Sequence, residues 1–351
     1  MALKILIVKT SSLGDIVHAM PVLDYLKEKC PKATIDWIAE KGSLTFVRAH
    51  PLVDHVLCLD SKAWRSFFSF FKNWKEIRGF FKGLRQKEYD ILYDLQGNTK
   101  SAVITLFARA KQKVGFAKKT VHEWPNLLAT NRHFDSPPGA NILHRNLSII
   151  QASLRDAASW EAKPCLLTCD HVPTIPGGRD ETSQQRFMLC FSSRWENKKL
   201  SSSMYRAFLE KFAQEDKVYV VYGSNQEKLE AEKLAAGLEK NVILLPPMSL
   251  PCWQNVMTAM DGVIAVDSVG LHLAGLAGVP TFSFFGPSSM AVFRPLGKWH
   301  DGLQGACPYD ESFDKRCAKL RSCPTGACIK EIPLEEIWSR FQQWRSDLFR
   351  N

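Results

Sequence analysis

The chain has 351 residues, of which 45% are hydrophobic and 23% are charged, and its formal net charge is +10. This composition is typical of an ordinary globular protein, and the length suffices for two domains. No run approaches the roughly 18 consecutive apolar residues of a transmembrane helix, and the N-terminus lacks a signal-peptide layout. We therefore expect no membrane span and a cytoplasmic location.

The positive charge is confined to the first half. Residues 1–160 contain 24 Lys and Arg against 14 Asp and Glu, whereas the remaining residues contain 22 of each. A basic half predicts an anionic partner for that half of the molecule.

The chain opens with a pattern that predicts an anion-binding site. An apolar run at 5–8 indicates a buried strand, small residues follow at 9–14, and apolar spacing at 17–26 indicates a helix. Strand, turn and helix bring backbone N–H groups and a helix N-terminus to the carboxyl edge of a sheet. Asp15 lies where the turn becomes the helix. Its carboxylate either faces the crevice at that edge or is an ordinary helix cap.

The rest of the first half alternates strands with helices. Strands are predicted at 34–40, 55–60, 89–95 and 113–116, with a helix over 99–110. This alternation indicates a doubly wound parallel sheet. The loop at 94–98 ends a strand on the same edge as Asp15, and its Gln96 and Asn98 suit either sugar hydroxyls or an Asx-type turn.

Residues 62–87 interrupt the alternation with eight Lys and Arg, a single Glu and many Trp and Phe. One interpretation is a helix packed on its own domain with a solvated basic face. A second is an interfacial helix that meets anionic lipid headgroups. Nucleic acid ranks last, because no recognised nucleic-acid module accompanies the segment.

A linker is predicted where Pro, Gly and polar residues concentrate, and the strand–helix alternation restarts after it. We expect an N-terminal domain over 1–170, a linker over 171–185 and a second domain over 186–330. A final amphipathic helix within 331–351 is expected to pack back on the N-terminal domain. Two such domains would face each other across a central cleft.

Each strand-to-helix junction of the second half carries polar residues. Hydroxyls, a Lys and helix N-termini suit a diphosphate, and a carboxylate can bind ribose hydroxyls. Singly, these residues have ordinary structural roles as helix caps or an interior histidine. The residues are Ser192, Ser193, Lys198, Gly223, Glu227, Met248, Asp267, Ser268, His272 and 285–288.

Ten cysteines are scattered along the chain. Since no secretion signal precedes them, reduced thiols are favoured over a disulfide framework. Near the C-terminus, Cys307, Cys317, Cys323 and Cys328 lack the paired spacing of common zinc sites, so free or oxidisable thiols are favoured over a structural metal.

Three long motifs, in order, resemble one known family. "KTSSLGDIVHAMPVL", "YDLQGNTKSA" and "AVDSVGLHLAGLAGVPTFSFFGPSS" are similar to motifs of the ADP-heptose:lipopolysaccharide heptosyltransferases, inverting enzymes of the GT-B fold. The likeness spans almost the whole chain. The stretch "VGFAKKTVHEW" and the later "ILHRN" resemble heptosyltransferase I, the subgroup that adds the first heptose to Kdo-lipid A. The resemblance implies a GT-B fold of two Rossmann-like domains.

The resemblance also implies roles for individual residues. Asp15 would be the general base, and Lys198 would neutralise the departing diphosphate. The implied donor-binding residues are Gly14, Ser192, Ser193, Glu227, Met248, Asp267, Ser268 and His272. The implied acceptor-binding residues are Lys62, Trp64, Arg65, Gln96, His122 and Arg145.

The implied partners are ADP-heptose, Kdo-lipid A and the anionic inner-membrane surface, reached through segment 62–87. No metal or other cofactor is expected, no nucleic acid is expected, and the location would be peripheral on the cytoplasmic face of the inner membrane. Alternatives are a heptosyltransferase for a later core sugar or a protein acceptor, and a non-catalytic nucleotide-sugar-binding protein.

The sequence departs from the family pattern at Val269, where the family usually has Gly. This matters because Val tolerates positive φ poorly.

Overall fold

A computed structural model of the chain describes residues 2–61, 72–176 and 184–350. It divides into two compact units, Met1–Lys163 and Pro164–Asn351. Each unit is built on a six-stranded parallel sheet flanked by helices. The predicted α/β class with two Rossmann-like domains is therefore confirmed. The implied acceptor residues Lys62, Trp64 and Arg65 lie outside the described residues.

The first unit carries strands β1 to β6 in the spatial order β3-β2-β1-β4-β5-β6. All neighbouring strands pair in parallel. The strands are β1 Lys4–Val8, β2 Thr34–Glu40, β3 His55–Leu59, β4 Glu88–Asp94, β5 Arg109–Phe116 and β6 Arg132–Phe134.

Six α-helices of the first unit are described. They are α1 Leu13–Val17, α2 Pro21–Lys29, α3 Leu44–Arg48, α4 Trp74–Gln86, α5 Thr99–Phe107 and α6 Ile142–Leu154. Short 3₁₀ helices at Lys41–Ser43 and Trp124–Leu128 are also described.

The second unit repeats the plan with the order β12-β11-β10-β7-β8-β9. Its strands are β7 Arg186–Cys190, β8 Lys217–Val221, β9 Val242–Leu245, β10 Gly262–Val266, β11 Thr281–Phe285 and β12 His300–Gln304. Its helices are α7 Ser202–Phe212, α8 Asn225–Ala235, α9 Leu250–Met257, α10 Val269–Leu276, α11 Met290–Phe293, α12 Ala327–Lys330 and α13 Leu334–Phe349, with a 3₁₀ helix at Glu196–Lys198.

The strand orders place a topological switch point in each sheet. In the first unit the chain leaves β1 in one direction and β4 in the other, and β7 and β10 hold the same positions in the second unit. Ligands of open α/β sheets bind at the carboxyl ends of the two strands at such a point. The loops after β1, β4, β7 and β10 are therefore the places where binding residues are expected.

The apolar runs that predicted the central strands are buried. Residues Ile5 to Val8 of β1 and Val263 to Val266 of β10 have at most 1% of their surface exposed. The Rossmann cores form because helices cover both faces of each parallel sheet, so central strands carry no polar face. These rigid strands fix the loops at their carboxyl ends.

The C-terminal helix packs on the second unit, so the prediction that it returns to the N-terminal domain was wrong. Ile337, Phe341 and Trp344 of α13 belong to the core cluster around Phe187 of β7. The ring centroids of Phe187 and Phe341 lie 5.9 Å apart. Its apolar spacing predicted a buried face correctly, but spacing does not specify which core receives that face.

The unit boundary precedes the predicted linker. The chain passes from one unit to the other after Lys163, and the backbone of 165–167 is hydrogen-bonded within the second unit, to Gln254 and Asn255 of α9 and to Leu276. The described part of the predicted linker 171–185 therefore lies inside the second unit, and residues 177–183 are outside the described range. Pro and Gly marked an irregular segment there, not a domain boundary.

Cysteine pairing differs from the expected set of reduced thiols at one position. Cys169 and Cys252 form a disulfide with their Cα atoms 5.2 Å apart. The partners are 83 residues apart in sequence, so no local spacing announces the pair. The four cysteines near the C-terminus are free thiols.

Among the described residues, no helix has the length and hydropathy needed to cross a bilayer.

Candidate active site

Asp15 lies at the switch point of the first sheet, in the first turn of α1 directly after β1. The side chain of this half-buried residue accepts hydrogen bonds at Oδ2 from the Ser12 backbone N–H at 3.1 Å and from Ser12 Oγ at 2.7 Å. Asp15 is therefore not the N-cap residue itself, which is Ser12, but it completes the capping box of α1 from the third helical position. It also lies at the carboxyl edge of the sheet, where open α/β sheets bind their ligands.

Gln96 links the two loops of this switch point. It follows β4, and its Oε1 accepts hydrogen bonds from the backbone N–H groups of Thr10 at 3.1 Å and Ser11 at 3.3 Å. These residues lead directly into Ser12 and Asp15. Gln96 thus fixes the backbone of the loop that carries the candidate base, a structural role that the acceptor-contact prediction did not include.

Asp94, the last residue of β4, holds the Gln96 loop in place through hydrogen bonds. Its carboxylate is fully buried and accepts four hydrogen bonds: from the N–H groups of Gln96 and Gly97, and from the side chains of Thr105 and Asn126 at 2.9 and 2.6 Å. A buried carboxylate is costly unless its oxygens are saturated in this way. Gly97 has φ +69°, a backbone that glycine adopts without strain.

The implied acceptor residue His122 lies beside the same loop, and Arg145 contacts the segment just before His122. The backbone N of His122 lies 3.5 Å from where a Cβ on Gly97 would be, and the His122 side chain is 75% exposed. Arg145, on α6, donates from its guanidinium to the Thr120 carbonyl at 3.4 Å. Burial lowers the pKa of Arg145. Gly14, an implied donor residue, accepts the His18 N–H at 3.0 Å within α1.

The second switch point carries a buried cluster around Asp267, which follows β10. Lys198, from the loop after β7, donates from Nζ to Asp267 Oδ2. His272 Nε2 lies 3.2 Å from Oδ1, and Ser288 Oγ donates to Oδ2 at 2.5 Å. The Lys198 and Asp267 side chains are 9% and 5% exposed. The structure thus brings together four residues that the sequence placed at three separate strand-to-helix junctions, those after β7, β10 and β11.

The electrostatics of this cluster keep Asp267 ionised. Burial alone would raise the pKa of its carboxyl group, but the hydrogen bond with His272 and the charge of Lys198 outweigh burial and hold that pKa well below the ordinary value. The cluster therefore offers a fixed negative carboxylate beside a buried cation.

A second group lies across β7 and β8. Ser192 Oγ donates to Glu227 Oε1, and the Gly223 backbone N–H donates to Glu227 Oε2 at 2.6 Å. Glu227 is on α8, whose N-cap Ser224 accepts the Glu227 N–H at 3.2 Å. Ser193 is half-buried beside Ser192, and Met248 is half-buried in the loop between β9 and α9. All of these residues follow strands at one edge of the sheet.

The helix after β10 begins with ordinary backbone geometry. Ser268 is the N-cap of α10 and Val269 is its first residue. Among described non-glycine residues, positive φ occurs at Arg155 and Asp310, so Val269 is not forced into the left-handed region. Gly270 is the residue without room for a side chain, because a Cβ there would lie 2.8 Å from the Trp253 ring. Val269 therefore occupies this position, where the family usually has Gly, without a positive φ.

Sequence reasoning missed two supporting residues, Ser12 and Asn126. Ser288 was among the strand-end residues 285–288 predicted from the sequence, and it lies in the "FGPSS" segment after β11. Ser12 precedes the helix as a cap, which is a local signal. Asn126 reaches Asp94 from 32 residues away, so no local pattern predicts it.

The chain is similar to proteins of one known family. The model of the family "Glycosyltransferase family 9 (heptosyltransferase)" matches residues 77–321. The lipopolysaccharide heptosyltransferase 1 of Pseudomonas aeruginosa is 26% identical over 317 residues, which cover 90% of this chain and 87% of that protein. The lipopolysaccharide heptosyltransferase 3 of Escherichia coli K12 is 22% identical, over 80% and 82% of the two chains.

A solved structure shares the fold. The E. coli heptosyltransferase WaaC with ADP superposes with a TM-score of 0.75 at 24% identity, and the match covers 87% of this chain and 94% of WaaC. WaaC has also been solved with ADP-2-deoxy-2-fluoro heptose. The fold class expected from the sequence, that of the GT-B heptosyltransferases, is thereby confirmed.

Proposed function

The chain belongs to glycosyltransferase family 9, and on this premise we propose that it transfers L-glycero-D-manno-heptose from ADP-heptose to a Kdo residue of Kdo-lipid A. This is the step of heptosyltransferase I in lipopolysaccharide inner-core synthesis. One observation carries the proposal: a half-buried carboxylate, Asp15, stands at one switch point, and the Lys198–Asp267–His272 cluster stands at the other. The similarity to a lipopolysaccharide heptosyltransferase 1 over 90% of the chain supports it.

The donor belongs on the second unit. ADP and an ADP-heptose analogue are bound in the WaaC structures, and the edge at β7 and β10 supplies matching chemistry here. Lys198 and the hydroxyls of Ser192 and Ser193 would hold the diphosphate. Glu227 would accept hydrogen bonds from ribose hydroxyls, and Met248 would line the adenine site. Asp267 would contact the heptose, with Ser268 and His272 near the phosphates.

In the transfer step, Asp15 accepts the proton of the attacking Kdo hydroxyl. The hydroxyl oxygen forms the new bond to the anomeric carbon of heptose, on the face opposite ADP. The bond from that carbon to the diphosphate oxygen breaks, and ADP leaves with the electron pair. This direct displacement inverts the anomeric configuration. Lys198 stabilises the negative charge that develops on the leaving diphosphate.

We propose that no divalent metal is needed for this step. A buried ammonium group and helix N-termini at the strand ends can neutralise a diphosphate without Mg²⁺. Turnover in the presence of a chelator should then equal turnover with added Mg²⁺, measured as ADP release. A requirement for metal would contradict this part of the proposal.

The acceptor side is proposed to be Gln96, His122, Arg145 and residues of segment 62–87, including Lys62, Trp64 and Arg65. The basic first half suits the phosphates and Kdo carboxylates of the acceptor. Since the acceptor is lipid-anchored, the proposed location is peripheral on the cytoplasmic face of the inner membrane, with segment 62–87 near its anionic surface.

A heptosyltransferase acting on a later core sugar is the second candidate. The 22% identity to lipopolysaccharide heptosyltransferase 3 over 80% of the chain favours it over unrelated activities. The two candidates share the donor and differ in the acceptor. Purified protein is therefore given ADP-L-glycero-D-manno-heptose with delipidated Kdo-lipid A, or with the same acceptor already carrying a heptose, and ADP release is followed.

ADP release that depends on the Kdo acceptor supports the proposed step. Release only with the heptose-bearing acceptor would move the assignment to the later step. ADP binding without turnover on either acceptor would contradict both candidates and favour a non-catalytic nucleotide-sugar-binding protein.

A further inference from the structure

Exposed apolar side chains are concentrated in one place in the first unit. Every large hydrophobic residue described as exposed there lies on α4, on α5 or in 124–128. In the second unit the exposed ones, such as Leu229 and Leu296, are spread over separate elements. Single exposed apolar residues are normal, whereas a group of them marks an interaction surface.

The outer face of α5 is apolar. Val103, Leu106 and Phe107 are 39%, 59% and 44% exposed, while Ala102 and Ile104 on the inner face are buried. A helix on the surface of a globular domain normally presents polar residues to water. The α5 helix therefore has one apolar face in the core and a second one outside it.

The neighbouring 3₁₀ helix extends this apolar surface. Trp124 and Leu128 are 68% and 75% exposed. Thr99, one turn before Val103 on the outer face of α5, donates to the Glu123 carboxylate from its N–H at 2.8 Å. The two elements are thus in contact, and their exposed side chains form one surface. We call Val103, Leu106, Phe107, Trp124 and Leu128 the apolar patch.

A row of cations borders the apolar patch. Lys75, Arg78, Lys82 and Arg85 are all exposed on α4, and their spacing of three and four residues places them on one helix face. The helix contacts the patch through Phe81, whose ring centroid lies 4.9 Å from that of Phe107. Residues 72–119 contain 12 Lys and Arg against four Asp and Glu.

Lys113 adds a further cation beside the apolar patch. Lys113 donates from Nζ to the Leu106 carbonyl at 3.0 Å, which places its ammonium group beside the patch. Burial, and then the charge of Arg85, lower the pKa of Lys113. An anion bound near Lys113 and Arg85 would offset their mutual repulsion.

We propose that the apolar patch and the α4 cations together bind an anionic lipid bilayer, with the patch in the acyl–headgroup boundary and the cations on lipid phosphates. An apolar surface bordered by Lys and Arg is the pattern of interfacial membrane binding. A second copy of this chain would bring its own cations against these, which disfavours self-association through the same surface. The inference deepens the proposed function and rests on it in one respect, the lipid-anchored acceptor.

The test compares vesicle binding of three proteins. They are the wild-type chain, the double variant Leu106→Ser with Leu128→Ser, and the control Leu229→Ser with Leu296→Ser, which removes two exposed leucines from the second unit. Cosedimentation is measured with mixed phosphatidylcholine–phosphatidylglycerol vesicles and with pure phosphatidylcholine vesicles, at low and high salt. We expect the patch variant to bind the anionic vesicles roughly tenfold more weakly, because two apolar side chains no longer enter the interface.

The control should bind like the wild type, and pure phosphatidylcholine or high salt should weaken binding of all three. Unchanged vesicle binding by the patch variant would overturn the inference, as would equal binding to neutral vesicles. If the wild type is a dimer in solution and the patch variant is a monomer with unchanged vesicle binding, the patch binds a second copy and the inference fails.

Activity separates this inference from the proposed function. The patch variant should keep wild-type turnover on the delipidated acceptor and lose turnover on the same acceptor embedded in vesicles. A chain that binds vesicles through the patch but transfers no heptose would retain the surface and contradict the proposed function.

Discussion

The two switch points use their carboxylates in opposite ways. Asp15 is half-buried and accepts hydrogen bonds from the neutral donors of Ser12, whereas Asp267 is buried, ion-paired with Lys198 and hydrogen-bonded to His272 and Ser288. A carboxylate held ionised by a buried cation binds ligands well but is a poor proton acceptor. This contrast supports the proposed division of roles, with proton transfer on the first unit and charge neutralisation on the second.

The strongest test of this division is Asp15→Asn. The amide keeps the size of the side chain but cannot accept the hydroxyl proton, so we expect kcat to fall by about 10²–10⁴-fold. ADP affinity, measured by calorimetry, should not change, because Asp15 is not among the proposed nucleotide-binding residues. Asp135→Asn, at an exposed position, is the matched control and should retain full turnover. Wild-type turnover in Asp15→Asn would remove Asp15 as the base.

The buried pair of the second unit gives the next largest effect. Lys198→Met removes the cation and leaves Asp267 buried with its charge uncompensated, which typically costs about 3–5 kcal/mol of the free energy of unfolding. Turnover should fall with it, since the diphosphate loses its partner. Both are measured, by denaturant unfolding and by ADP release.

The double variant Lys198→Met with Asp267→Asn separates the two losses. Removing both charges relieves the uncompensated carboxylate, so stability should return toward the wild-type value while turnover stays low. If turnover recovered together with stability, Lys198 would have only a structural role.

The switch-point residues were predictable because their signals are local. A buried apolar run followed by small or polar residues identified the ends of β1, β4, β7 and β10, and Asp15, Gln96, Lys198 and Asp267 lie there. Several predicted strands agree closely with the structure, including 34–40 and 55–60, which are found as Thr34–Glu40 and His55–Leu59. Parallel central strands are easy to recognise because both of their faces are buried.

Features that depend on distant partners were not predictable. The helix expected over 99–110 ends at Phe107, since Ala110 pairs with Tyr89 in the sheet. The edge strands β6 and β12 are short and carry polar residues, so periodicity does not reveal them. The disulfide, the second-unit position of α13 and the Asn126–Asp94 contact each join residues far apart in sequence.

Gln96→Leu tests how the first unit positions its base. The variant loses the oxygen that holds the N–H groups of Thr10 and Ser11, so the Asp15 loop should drift and kcat should fall roughly tenfold, as misplacement of a catalytic group does. Gln96→Glu keeps an accepting oxygen and should restore most of kcat. If Gln96 instead acts only on the acceptor, both variants would raise the KM for the Kdo acceptor and leave kcat unchanged.

The smallest expected effect concerns acid stability away from both switch points. His300, on the edge strand β12, contacts Thr281 Oγ1 through Nδ1 at 3.0 Å, and burial, followed by the charge of Arg294, lowers its pKa from 6.5 to about 4. The unfolded chain binds more protons than the folded one between about pH 4 and 6.5, so stability is full above that window and falls as the pH drops through it. From pH 7 to 5.5 this histidine should remove about 1 kcal/mol of the free energy of unfolding.

His300→Gln should abolish that portion of the loss in denaturant unfolding, while His55→Gln, at an exposed position, should not. An unchanged pH slope in His300→Gln would mean that the acid sensitivity arises elsewhere. The next residue to replace would then be the buried His50 of the first unit, because burial lowers its pKa to about 4 as well.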